Sequence, residues 1–245
     1  MATLAELLAL VDIHLTSDDN EYPQASREQK IRDALREYSR DRPDVLVEDV
    51  TGDGTQFYRL DTSLDKWEIK FSQIRQVEYP AVDLSAGSGQ PQFLEDDEFE
   101  VYRAEVSGSQ VDYLRFDNLS PASTETIRIT YTARYTFDGG DNTTVPDYAE
   151  DAIALLAACK CCTDIAIKYS RTNDATIAVD AINHLGRAAE FSARAAELCR
   201  RYQELVGVGE FADAKTTAAF ERADLDTSPD WPYGRDYVFR RDYTR

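Results

Sequence analysis

The sequence predicts an α+β chain: helices from both ends form one helical module, an antiparallel β domain is inserted between them, and an extended arm closes the chain. Three observations predict it. Apolar residues recur at helical spacing in the first 43 residues and again after Pro146, the period falls to two between Val45 and Tyr135, and the segment from Trp231 onward differs in charge and aromatic content from everything before it. The expected segments are residues 1–43 (N-terminal helices), 44–140 (inserted β domain), 141–207 (long C-terminal helices of the helical module) and 208–245 (arm).

Leu4, Leu7, Leu8 and Val11 mark a short first helix, followed by a polar loop that ends at Pro23. Ser26 with Gln29 three residues later resembles a capping box. Ile31, Ala34, Leu35 and Tyr38 then form one apolar stripe, so a second helix is expected over about residues 26–40, ahead of Pro43. In the β region, turn clusters fall at Gly52-Asp53-Gly54, Gly87-Ser88-Gly89, Gly108-Ser109 and residues 118–121. Its clearest strand covers residues 127–135. There Ile127, Ile129, Tyr131, Ala133 and Tyr135 take one face and Arg128, Thr130, Thr132 and Arg134 the other, the alternation of a sheet with one face packed and one wet. After Gly139-Gly140, residues Ala149, Ile153, Leu156 and Ala157 begin a helix reaching Tyr169. A second, from about Thr176 with Asn173 or Asp174 as its cap, runs to Val206 and stops at Gly207. Ala188, Ala189, Ala193, Ala195 and Ala196 on this last helix allow a neighbouring helix to come close.

A chain of 245 residues with 42% hydrophobic content can bury one sizeable core or two modest ones. No apolar run approaches the roughly 20 residues that span a bilayer. The opening MATLAELLALVDIHL also carries acids where a signal peptide carries basic residues, so neither export nor a membrane partner is expected. The 27 Lys and Arg stand against 46 Asp and Glu, for a net charge of −19. Such a surface repels phosphate and disfavours a sequence-reading nucleic-acid binder, yet it suits a wall past which duplex DNA slides without sticking. Cys159, Cys161 and Cys162 lie too close together for a secreted disulfide framework. They are expected to be buried structural thiols in a protein that folds in a reducing cytoplasm.

Catalytic and metal motifs weigh little. Asp49-Val-Thr-Gly-Asp-Gly54 begins like a calcium loop, but its twelfth position is Leu60 where a bidentate acid is required, so a hairpin turn is expected there. Glu95-Asp96-Asp97-Glu98 reads as a solvated charge run, and only His14 and His184 are available to complete a metal site with the cysteines. His184 lacks a recognisable nucleophile partner, and Gly87-Ser88-Gly89 lacks the spacing of a nucleophile elbow. An enzyme is not expected, nor a cofactor or a metal. The arm is the most informative segment. Trp231, Tyr233, Tyr237, Phe239 and Tyr243 alternate with Arg235, Arg240, Arg241 and Arg245, and these are the side-chain types that dominate interface hot spots. Four arginines against two aspartates leave residues 231–245 at +2 and residues 1–230 at −21. A docking arm for a partner is the expected role of Trp231, Tyr233, Arg235, Tyr237, Phe239, Arg240, Arg241 and Tyr243, with folding back on their own domain and binding of single-stranded nucleic acid as the alternatives.

The stretches Ala34-Leu-Arg-Glu-Tyr-Ser-Arg-Asp-Arg-Pro43, Val50-Thr-Gly-Asp-Gly54, Ile74-Arg-Gln-Val-Glu-Tyr-Pro80 and Ile127-Arg-Ile-Thr-Tyr131 together resemble the neck proteins of tailed phages. So does the helical close from Thr144-Val-Pro146 to Ala188-Ala-Glu-Phe-Ser-Ala-Arg194. The resemblance is to the head-tail connector (adaptor, head completion) family. It implies a homo-oligomeric ring, commonly twelvefold, below the portal protein, whose C-terminal segment reaches the portal. The ring would line the DNA channel and offer an attachment site to the next neck or tail component. It further implies a virion protein made in the host bacterial cytoplasm. One departure is plain: the short helical connectors lack so large a β region. Another tail-completion or baseplate-proximal ring subunit is the alternative role, and a soluble enzyme the alternative of another class.

Overall fold

The computed structural model describes residues 2–15, 22–83, 89–138, 141–171 and 178–208. It is an α+β fold whose sheets are antiparallel throughout. The chain divides into two compact units, one of residues 1–34 with 146–245 and the other of residues 35–145. The first division falls inside a helix rather than at Pro43, so that helix is shared between the units.

Unit 1 is helical. Helix α1 (Leu4–Leu15) starts on a reciprocal cap: the Glu6 N–H donates to Thr3 Oγ1 at 3.2 Å, and the Thr3 N–H donates to Glu6 Oε2 at 2.7 Å. Two N-terminal donors are thereby satisfied, and the bond from Thr3 lowers the Glu6 pKa. Helix α2 (Gln24–Asp41) starts earlier than the Ser26-Gln29 pattern predicts. The Ser26 N–H already donates to the Pro23 carbonyl, so Ser26 lies inside the first turn and Pro23 marks the entry.

Helix α4 (Glu150–Arg171), preceded by a 3-10 turn at Asp147–Ala149, is buried at every position from Ala152 to Cys159. A helix apolar on all sides belongs in the middle of its unit. Leu7 and Val11 of α1 and Leu198, Tyr202 and Val206 of α5 (Ala178–Val206) are buried with it. Asp164 of α4 accepts from Tyr22 Oη and pairs with Lys30 of α2, both at 2.7 Å, and Arg27 of α2 reaches Asp12 of α1 at 2.5 Å. Helix α5 is 29 residues, about 43 Å. It ends where Gly207, at φ 69°, turns left-handed, its N–H and that of Val208 both donating to the Gln203 carbonyl.

Unit 2 carries two three-stranded sheets. Strands β1 (Asp44–Thr51), β6 (Thr126–Ala133) and β3 (Ile74–Glu78) form one in the order β1-β6-β3. Strands β2 (Phe57–Arg59), β5 (Ser109–Phe116) and β4 (Phe99–Val106) form the other in the order β2-β5-β4. A short helix, α3 (Leu60–Ser63), follows β2 directly. One apolar core serves both sheets. Ile127, Ile129, Tyr131 and Val77 enter it from the first sheet and Tyr58, Leu114 and Phe116 from the second, with Leu60, Leu64 and Trp67 between strands. The predicted alternation along β6 holds for its core face. On the other face Thr132 is also buried, because its hydroxyl accepts from the Gln73 N–H at 2.9 Å.

The expected hairpin at Gly52-Asp53-Gly54 is instead a crossing between sheets, since β1 pairs with β6 and β2 with β5. Gly52 is required there. A Cβ would lie 2.3 Å from the Ala122 carbonyl oxygen, while the Gly52 N–H donates to Glu125 and the Gly54 N–H to Pro121. A true hairpin joins β4 to β5 through Ser107 and Gly108. Both have positive φ, as a tight two-residue turn demands.

Candidate functional site

The arm residues singled out in the sequence, Trp231, Tyr233, Arg235, Tyr237, Phe239, Arg240, Arg241 and Tyr243, lie outside the described residues, as do Asn173, Asp174 and Gly87-Ser88. What the fold does display is a set of surfaces. Each follows from local sequence.

The first is a groove of about 480 Å³ between α4 and α5, bordered by Thr163, Ala166 and Ser170 on one helix and Ala188, Ser192 and Ala196 on the other. Small side chains let the two backbones approach closely. That approach corrects the reading of the cysteines. Cys159 and Cys199 form a disulfide across the groove floor with their Cα atoms 5.5 Å apart, so Cys159 is a staple rather than a thiol. The clustering of three cysteines drew attention to their own helix, whereas the partner stands 40 positions away on another. Cys161 and Cys162 are buried free thiols. Burial pushes the Cys161 thiol up to about 12, the neighbouring Cys162 and Asp164 adding to it and Lys30 and Arg27 opposing, and burial likewise raises Cys162. Thiols so disfavoured as thiolates are poor nucleophiles. Beside the groove, Tyr169 stacks on Phe191 with centroids 5.9 Å apart, and Arg187 lies over the Tyr169 ring.

The second surface is strand β4, one of the two outer strands of its sheet. Val101, Tyr102 and Val106 are 41%, 47% and 40% exposed, and Tyr102 meets Phe57, 45% exposed, edge to face at 6.2 Å. On its core side Arg103 forms a two-pronged pair with Asp112, at 2.6 and 3.2 Å. Asp112 is only 1% exposed and also accepts from Trp67 Nε1. The acids before β4 are organised as a turn: the Glu95 N–H donates to Glu98 Oε2 at 2.8 Å and the Glu98 N–H to the Glu95 carbonyl. The third surface is the outer face of β1, where Val45 and Val47 are exposed.

The residues that resembled a calcium loop have other tasks. Asp49 binds the Arg128 guanidinium through both oxygens, at 2.8 and 3.0 Å, and Leu60 is fully buried in the core. Asp53 accepts from the Thr55 N–H and hydroxyl, a local turn that lowers its pKa. Among the described residues no cluster of three His, Cys, Asp or Glu is placed to hold a metal ion. His14 closes α1, and its carbonyl accepts from Arg194 of α5. His184 falls within α5. No helix among the described residues is long and apolar enough to cross a membrane. Compared with known proteins, the chain matches no family model and no curated protein.

Proposed function

We propose that this chain is a structural subunit of a tailed-phage neck, a head-tail connector whose copies close into a ring below the portal and line the passage for DNA. The observation that carries this reading is the pairing of an acidic body with several adhesive surfaces. An exposed α4–α5 groove, a β4 edge that no strand among the described residues pairs with and the outward valines of β1 are presented by a chain of net charge −19. Ring subunits need at least two different contact patches, because a closed ring is built from heterologous contacts. Acids along the passage withhold the counterion-release affinity that would hold DNA in place. The aromatic and arginine-rich arm is the means by which a copy reaches its assembly partners, the portal among them. The inserted β unit, absent from the short helical connectors, supplies further contact area within the ring or toward the next tail component.

The test is to locate the chain in purified particles by cryo-electron microscopy. A ring of this subunit at the head-tail junction supports the reading, and density for it in the capsid shell, the tail tip or nowhere in the particle overturns it.

A further inference from the structure

The β4 edge is chemically unlike the other strand edges of unit 2. Strand β2 has three residues, and β3 is bulged between Ile74 and Gln76, two devices that blunt an edge against pairing. Strand β1 is as long as β4, but two of its three acids are engaged internally: Glu48 accepts from Tyr131 and the Asp65 N–H, and Asp49 holds Arg128. Strand β4 has eight residues, exposed apolar side chains on both faces, and Asp96, Asp97 and Glu105 exposed beside it. The two-residue turn makes Val106 and Ser109 a hydrogen-bonded pair. Alternation along the ladder then points the backbone N–H and C=O of Val101, Arg103 and Glu105 outward.

An occupant of this edge must be extended, rich in apolar side chains and positively charged. A second β4 fails the last condition. Residues 95–106 carry six acids against one arginine, and two such strands side by side repel each other. The composition of residues 231–245 suits such an occupant. From 231 to 245 its odd positions are Trp231, Tyr233, Arg235, Tyr237, Phe239, Arg241, Tyr243 and Arg245, so an extended arm gathers all its aromatics on one face, and it carries +2. The 22 residues from 209 to 230 have a contour length of at most roughly 70 Å, which sets the farthest edge that residues 231–245 can reach.

We infer that the β4 edge of one copy receives residues 231–245 of a neighbouring copy as an added strand. The aromatic face of the arm lies against the Tyr102–Phe57 side of the sheet and its arginines against the acids of residues 95–105. The same acids keep β4 edges from pairing with each other, so the contact is directional, arm to edge, as ring growth requires. The inference rests on the ring reading for the closure of that contact into a ring, whereas the contact itself needs only two copies of the chain.

The experiment uses the full chain, with self-association followed by light scattering over a concentration series. Reversing the edge (Asp97→Arg with Glu105→Arg) or the arm (Arg240→Glu with Arg241→Glu) is expected to weaken self-association at least tenfold. Combining both reversals is expected to restore most of it, an outcome that a folding defect in either variant would not produce. Val101→Pro removes one outward N–H without touching the β4–β5 ladder, and is expected to weaken association as the edge reversal does. A free peptide of residues 231–245 should compete with assembly of the unmodified chain. A full chain that stays monomeric, a combined variant no better than its parents, or an unaffected Val101→Pro overturns the inference. If association and charge rescue are found while the chain lies outside the phage neck, the connector reading fails alone.

Discussion

The two units solve the packing problem with different side chains. Unit 1 brings helices together by making them narrow: alanines and cysteines fill the α4 seam, and the closeness of α4 and α5 lets a disulfide form between Cys159 and Cys199. Unit 2 is held by large side chains with polar ends. Tyr131 crosses the core to donate to Glu48 and accept from the Lys66 N–H, and Tyr58 accepts from the Asp53 N–H and donates to the Pro121 carbonyl. Trp67 and Arg103 converge on the buried Asp112. Helices satisfy their backbone internally and can meet through small apolar residues. Sheets joined by long loops must satisfy loop backbone in the core, and Tyr and Trp reach that far. Each unit is therefore vulnerable at a different point: one to loss of its covalent staple, the other to loss of a core residue or a buried polar partner.

The largest effect should come from the shared core of unit 2. Ile129→Ala removes a fully buried side chain from the central strand, and is expected to cost about 4 kcal/mol. Hydrogen exchange should accelerate at β5 and β6 amides and leave those of α4 unchanged. Equal acceleration in α4 would show that the two units unfold as one.

Next is the staple. Reducing the Cys159–Cys199 bond, or replacing Cys199 with Ser, is expected to lower the stability of unit 1 by about 3 kcal/mol through the freed loop entropy. Thiol titration of the unreduced, denatured protein should find the two thiols of Cys161 and Cys162, and four after reduction. Four without reductant would remove the staple from the comparison.

A smaller loss, about 2 kcal/mol, is expected for Asp112→Ala, which strands the Trp67 N–H in the core and frees a guanidinium that retains access to water. Trp67 fluorescence should report it, with Trp231→Phe as the background so that only one indole contributes.

The smallest effect is a pH dependence confined to unit 1. Burial lowers the His14 pKa, with Arg194 and Arg201 acting in the same direction and Asp151 against. A histidine whose folded pKa lies below its unfolded value of about 6.5 contributes stability above that pH and loses it as pH falls toward the folded value. His14→Gln should therefore flatten the decline of unit 1 stability below pH 6.5, and an unchanged slope would assign the decline to other groups.

Much of this was legible from local pattern. The spacing of Leu4, Leu7 and Val11, the alternation of Ile127, Ile129 and Tyr131, and Gly207 as a stop each reflect a single element meeting a single core. Thr3 and Glu6 carried a capping signature as plain as that of Ser26 and Gln29, and theirs is the one that forms. Pro23 fixed the entry of α2 ahead of Ser26, because chain direction into the helix outweighs a side-chain cap two residues inside it. The candidate site divided in the same way: the composition of residues 231–245 could be read directly, while the position of β4 at the edge of its sheet could not, since an edge is defined by the pairing of the other strands.

Local pattern alone gave the α+β class, the four long helices, the strand that became β6 with its core face, and the acidic body with its basic, aromatic end; the other five strands and their pairing were not in it. What pattern gave depends on periodicity and charge, which are properties of neighbours along the chain. Long-range packing was needed to place Gly52 at a crossing between sheets rather than a turn within one, to bury Thr132, to bring Cys159 to Cys199 and to set Asp112 beneath Trp67 and Arg103. Each of these joins residues distant in sequence, and such contacts are chosen by the packing of the whole unit rather than by the pattern of any segment within it.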